Sequence, residues 1–127
     1  MPREHYFDKE RGAIFVTATG VFTELEFTTG TSLTINEPDF QPDLRVLIDF
    51  SGVTRFDVSA KALVDFVSKQ AFSKKARRAF VVERGFGASF VSFGKSSGAL
   101  EQIQIFYDRA GALAWLNEAV PPEMVLT

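Results

Sequence analysis

The chain changes its hydrophobic period several times, and each change marks an element. In Asp43 to Ala60, DLRVLIDFSGVTRFDVSA, the residues Leu44, Val46, Leu47, Ile48 and Phe50 form a nearly unbroken apolar run, interrupted only by Arg45 and Asp49 and stopped at Gly52. The run is too short for a helix, is rich in β-branched residues and lacks strict alternation. It predicts a central strand covered on both faces. Asp49, Asp57 and Ser59 then fall at or beyond the strand's C-terminal end, where open α/β sheets carry their working groups.

Upstream, His5 to Glu10 and Ala13 to Thr19 predict a hairpin turning at Arg11-Gly12, with Ile14, Val16 and Ala18 on one face and Gly20 as its end. Thr23 with Glu26 three residues on has the form of a capping box, and a helix is expected from Thr23 to Ile35. Thr28, Thr29, Gly30 and Thr31 work against that helix by propensity. Pro38 and Pro42 make the following stretch a loop.

Downstream, Ala62, Leu63, Phe66, Val67 and Ala71 recur at helical spacing and predict a helix over Val58 to Lys75. Ala79 to Val82 reads as a short strand ended by Glu83-Arg84-Gly85. A helical stretch over Ala88 to Gly94 and a loop at Lys95 to Gly98 follow. Ile103 to Tyr107 is the last expected strand, and Asp108 is placed to cap a last helix. Ala110, Leu113, Ala114 and Leu116 give that helix its expected buried stripe, and Pro121-Pro122 its expected end. The alternation calls for one α/β domain over residues 1–127. Its sheet should be mixed and mostly parallel, with an antiparallel first strand and about four helices.

Composition narrows the chemistry. A length of 127 residues suffices for one core without metal or disulfide, and 14 Phe predict either an unusually aromatic core or a Phe-lined cavity. A net charge of −2, with cations scattered except at Lys74-Lys75 and Arg77-Arg78, argues against a nucleic-acid partner. The absence of Cys removes disulfides and thiol catalysis and favours a cytoplasmic setting. The N-terminus lacks the apolar core of a signal peptide, and no stretch reaches the roughly 20 apolar residues of a membrane span.

The stretch Ile48 to Leu63, IDFSGVTRFDVSAKAL, resembles the central signature of STAS domains, the family of bacterial anti-anti-sigma factors and transporter tails. Asp49-Phe50-Ser51-Gly52-Val53 matches its Asp-Leu-Ser half. Asp57-Val58-Ser59-Ala60 matches its Asp-Ser-Ser-Gly half, with Val58 and Ala60 in place of a Ser and a Gly. Ile103 to Leu116, IQIFYDRAGALAWL, is similar to the family's closing strand, aspartate cap and Ala-rich helix. The Trp-Leu ending, the Pro38/Pro42 loop and the short aromatic helix after Glu83 resemble the SpoIIAA-like branch. Its members are largely uncharacterised and also resemble CRAL-TRIO lipid-transfer domains.

The resemblance implies a regulatory, protein-interaction role, with Ser59 on the position that a partner kinase phosphorylates in anti-anti-sigma members. A phosphate at the first turn of a helix meets free N–H groups and the positive dipole end. Asp57, Lys61 and Asp49 join Ser59 as candidate partner-binding residues, and a plain helix-capping role for Asp57 or Ser59 stays open. The alternative is a binder of a small apolar ligand or lipid. Phe86, Phe90 and Phe93 share one face of the short helix expected after Glu83 and could wall a pocket near Phe56.

Other motifs carry less. Gly85-Phe86-Gly87 lacks the third glycine of a dinucleotide fingerprint, and Gly94-Lys95-Ser96 has Ser89 where a phosphate loop needs glycine. His5, the only histidine, reads as a surface residue. Asp49 and Asp57 read as a turn bond and a cap rather than a carboxylate pair. No catalytic residue, metal or cofactor is expected, an enzyme is not the favoured reading, and self-association is left open.

Overall fold

The computed structural model describes residues 3–59, 61, 76–83, 85, 103–118 and 120–127. In chain order the elements are strands β1 (Arg3–Asp8) and β2 (Ala13–Thr23), helix α1 (Glu24–Ile35), and strands β3 (Arg45–Asp57), β4 (Arg78–Val81) and β5 (Ile103–Phe106). Helix α2 (Arg109–Leu116) and a 3₁₀ turn at Pro122–Met124 complete them. The sheet runs β1-β2-β3-β4-β5. β1 pairs antiparallel with β2, and every other pairing is parallel. Two α-helices lie within the described residues. The helices expected over 58–75 and 88–94 fall outside them, apart from the first residues at 58, 59 and 61.

The opening hairpin turns where expected. Asp8 accepts from the Arg11 backbone N–H at 3.1 Å and from its guanidinium at 3.1 Å, and Gly12 supplies a φ of +64°. Arg3, His5 and Phe7 face one side of this edge strand, opposite Ala18, Val16 and Ile14 of β2.

Two glycines behave differently from expectation. Gly20 does not end β2, and Gly52 does not end β3. Both strands continue as a paired ribbon to Thr23 and Asp57, with register shifts between Thr17 and Thr19 and between Gly20 and Val21. Gly20 absorbs one irregularity at φ +68°. Gly52 allows close approach, since a Cβ there would lie 2.9 Å from Thr19 Cγ2. In both cases glycine permits a bulge rather than a stop.

α1 forms over the expected range despite its poor helix formers. Thr23 Oγ1 accepts from the Glu26 N–H at 3.2 Å, and Glu26 Oε1 accepts from the Thr23 N–H at 3.3 Å, closing the capping box. Two threonines direct their hydroxyls to the preceding turn, Thr28 to Glu24 O and Thr34 to Gly30 O.

The sheet separates two apolar layers, as the closely spaced apolar residues of β3 require. Val46, Ile48, Phe50 and Val53 join Ile14, Val16, Phe22, Phe80 and Phe27 of α1 on one face. Leu47 joins Ala13, Ala79, Val81, Leu126 and the α2 residues Ala112 and Leu116 on the other. Phe22 is the hub of an aromatic cluster, with ring centroids 5.3 Å from Phe50, 5.8 Å from Phe56 and 6.2 Å from Phe27.

Asp108 caps α2 as expected, accepting from the Gly111 N–H at 2.6 Å. The buried stripe is corrected. Ala112 and Leu116 are buried and Leu113 is half-buried, whereas Ala110 and Ala114 face solvent. The helix closes at Asn117, before the prolines, because the Asn117 N–H bonds back to Leu113 O and its amide side chain clasps the Leu126 backbone.

Candidate functional site

The strand register steps the C-terminal edge of the sheet. β4 ends at Val81, level with Asp49, and β5 ends at Phe106 beside Val81. β2 and β3 run on to Thr23 and Asp57, which face each other. The expected site residues therefore separate onto two levels. Asp49 and Asp57 are some 20 Å apart, judged from the six residue steps along β2 from Thr17 to Thr23, their partners, at about 3.3 Å each. They do not form a carboxylate pair.

At the lower level, Asp49 Oδ1 accepts from the Ser51 N–H at 2.9 Å and from the Ser51 hydroxyl at 2.6 Å. Its Oδ2 lies 3.6 Å from Arg109 Nη1, and the Arg109 guanidinium sits 5.5 Å from the Phe15 ring centroid. Asp49 thus ties β3 to the start of α2. The turn-bond reading accounts for it.

At the upper level the register decides which residues meet. Because Thr23 faces Asp57, the chain just past each strand is brought together. Glu24 Oε1 accepts from the Ser59 hydroxyl at 2.7 Å and from the Ser59 N–H at 3.1 Å. These two bonds, the hydroxyl's first, hold the Glu24 carboxyl below the usual glutamate range, and the nearby Lys61 charge adds to them. Asp57 pairs with Arg55, Nε to Oδ2, at 3.2 Å. Glu24, Arg55, Asp57, Ser59 and Lys61 are all exposed, as is Val21, the register partner of Arg55. Glu24 was not singled out from sequence. Its acidity at a helix start reads as an ordinary favourable charge, and only the strand register gives it Ser59.

Phe56 is half-buried and packed, stacking on Phe22 at 5.8 Å and meeting Phe50 edge-on at 5.4 Å. Phe86, Phe90 and Phe93 lie outside the described residues. His5 is half-buried rather than simply exposed. Its Nε2 lies 3.2 Å from Glu37 Oε1, and its ring meets Phe7 edge-on at 5.5 Å.

A cavity of about 340 Å³ opens between the edge strand and α1, lined by Arg3 and His5 from β1 and by Leu25, Glu26, Thr29, Gly30 and Leu33 from one face of α1. Its walls are mostly apolar. Sequence reasoning did not find this cleft. Leu25 and Leu33, eight apart on one helical face, were the available signal, but Arg3 reaches α1 only through the fold. Among the described residues no three His, Asp or Glu side chains gather as metal ligands, and no helix is long and apolar enough to cross a membrane.

No family model and no curated protein matches the chain. A solved structure does, that of an uncharacterised protein of the DUF3478 family with a SpoIIAA-like fold, from Shewanella loihica PV-4. The TM-score is 0.58, over 90% of this chain and 91% of the other. The fold is SpoIIAA-like. At 19% identity the likeness establishes architecture and leaves the chemistry to the residues themselves. In this SpoIIAA-like sheet the Ser59–Glu24 rim stands at the C-terminal ends of the two longest parallel strands, where such folds assemble sites.

Proposed function

We propose that the protein is a non-catalytic regulatory module that binds a protein partner through the rim formed by Val21, Glu24, Arg55, Asp57, Ser59 and Lys61. The observation that carries this reading is the exposed Ser59–Glu24 pair, which joins the end of β3 to the first residue of α1. Charged side chains of both signs around an exposed valine have the composition of a polar interface rim.

Modification of Ser59 would act directly on this pair. A phosphate would replace the hydroxyl donor with two negative charges beside the Glu24 carboxylate, so a bond that closes the rim becomes a repulsion that opens it. Ser59→Asp therefore reproduces the modified state at the rim. A cytoplasmic location and a partner that reads the serine's state belong to the same reading.

The test is a quantitative comparison of partner capture by the wild type, Val21→Asp, Glu24→Lys, Ser59→Asp and, away from the rim, Tyr6→Ser. The reading expects one stoichiometric partner, lost with the first two substitutions, altered by Ser59→Asp and retained by Tyr6→Ser. Indifference of capture to every rim substitution, or robust turnover in a screen of hydrolase and transferase substrates, overturns it. The alternative of an apolar ligand walled by Phe56, Phe86, Phe90 and Phe93 has less support, because Phe56 is engaged in the aromatic core.

A further inference from the structure

The geometry points to a second site, independent of the rim: the cleft between β1 and α1 binds a small amphipathic carboxylate, its acyl chain along Leu25 and Leu33 and its head group on Arg3. Two independent observations converge on it. The first is the cavity itself, whose volume of about 340 Å³ falls at the small end of ligand pockets and suits a medium-length chain. Leu25 and Leu33 stand on its outer wall with 73% and 58% of their surface exposed, an unusual expenditure of large apolar residues on a solvent-facing helix stripe.

The second observation is Arg3. Its guanidinium lies against Gly30, where any Cβ would collide with it, so the glycine in mid-helix is what lets the charge settle onto α1. There it donates to Thr34 Oγ1 at 3.1 Å, and the Thr34 hydroxyl in turn donates to Gly30 O at 2.9 Å. No carboxylate comes within ion-pairing distance of it among the described residues. Burial without a counter-ion pushes its pKa down to about 10, so it keeps its proton at neutral pH while lacking an anion. Glu26 does not supply one. Its Oε1 is taken by Thr23, its Oε2 is buried without a hydrogen-bond partner, and neither oxygen comes within ion-pairing distance of Arg3. A guanidinium with free donors beside an apolar wall recognises a carboxylate joined to a hydrocarbon chain.

Decanoate and decanol, added below their aggregation limits to the ¹⁵N-labelled full chain at neutral pH, separate charge from hydrophobicity. Saturable decanoate shifts at the Thr29, Gly30 and Leu33 amides are expected, with decanol binding at least tenfold more weakly. Arg3→Gln should bring decanoate down to the level of decanol. Leu33→Ser, an exposed position that keeps the fold, should weaken both. Ser59→Ala should leave decanoate affinity unchanged, which separates this site from the rim. Equal binding of the two probes, shifts confined elsewhere, no saturable shift, or a ligand-free dimer that closes the cleft would each overturn the assignment.

Discussion

The Arg45 guanidinium, at the first residue of the central strand, donates at 2.7 Å to the backbone carbonyl of Met124, 79 positions away. The same side chain donates to Leu116 O at 3.3 Å, to Asn117 Oδ1 at 3.2 Å and to Arg11 O. One buried cation therefore fastens the hairpin, the end of α2 and the C-terminal segment to β3. Replacement by Met should cost at least about 3 kcal/mol, since charge-assisted bonds contribute roughly 1.5–3 kcal/mol each and their acceptors are left short of donors. Thermal unfolding should show a drop of about 10 °C or more. Lys should rescue only part of it, having the charge without the fork.

The aromatic cluster makes a graded prediction. Phe22 is 1% exposed and central, so Phe22→Ala should cost about 3–5 kcal/mol in denaturant unfolding. Phe56→Ala, on the half-buried edge, should cost less. The double variant should cost less than the sum of the two, by about 0.5–1.5 kcal/mol, because the stacked pair is lost only once.

Gly52 and Thr19 form a steric pair across the bulged ribbon. A Cβ at position 52 would lie 2.9 Å from Thr19 Cγ2, closer than carbon atoms tolerate. Gly52→Ala should destabilise by about 1–3 kcal/mol, the usual range for overpacking. Adding Thr19→Ser, which deletes the methyl responsible, should return most of that loss. Absence of rescue would show that backbone conformation, rather than crowding, demands the glycine.

The Ser59–Glu24 pair predicts a pH signature. Glu24 titrates below its unfolded value when folded, so the pairing stabilises fully above the ordinary glutamate range and is lost as pH falls through the lowered folded value. In Ser59→Ala the hydroxyl bond disappears. The Glu24 side-chain carbon, followed by NMR titration, should then move its midpoint upward toward that of an ordinary glutamate. An unmoved midpoint would assign the effect to the backbone N–H of residue 59 and to Lys61 instead.

Local chemistry carried much of the architecture. The Thr23/Glu26 capping box started α1 in spite of its threonines, the Asp108 cap started α2, and the dense apolar run of Leu44 to Phe50 announced a strand buried on both faces. These signals are short-range, so the order of residues suffices to read them. The glycines were misread for the complementary reason. Gly20 and Gly52 look like breakers in isolation, and only the pairing of β2 with β3 turns them into bulges inside a longer ribbon.

By itself the sequence determined the five strands, the two capped helices of the described residues and the mostly parallel sheet with its antiparallel edge, and it carried a resemblance that the SpoIIAA-like fold bears out. Spacing and capping act within a few residues, and the elements follow from them. The tertiary structure alone decided which side chains meet. Register set Ser59 against Glu24 and parted Asp49 from Asp57, the antiparallel edge laid Arg3 over Gly30, and the fold brought Arg45 to Met124. Such pairings depend on strand alignment and chain reversal over tens of residues, where a shift of one position exchanges every side chain between the faces of the sheet.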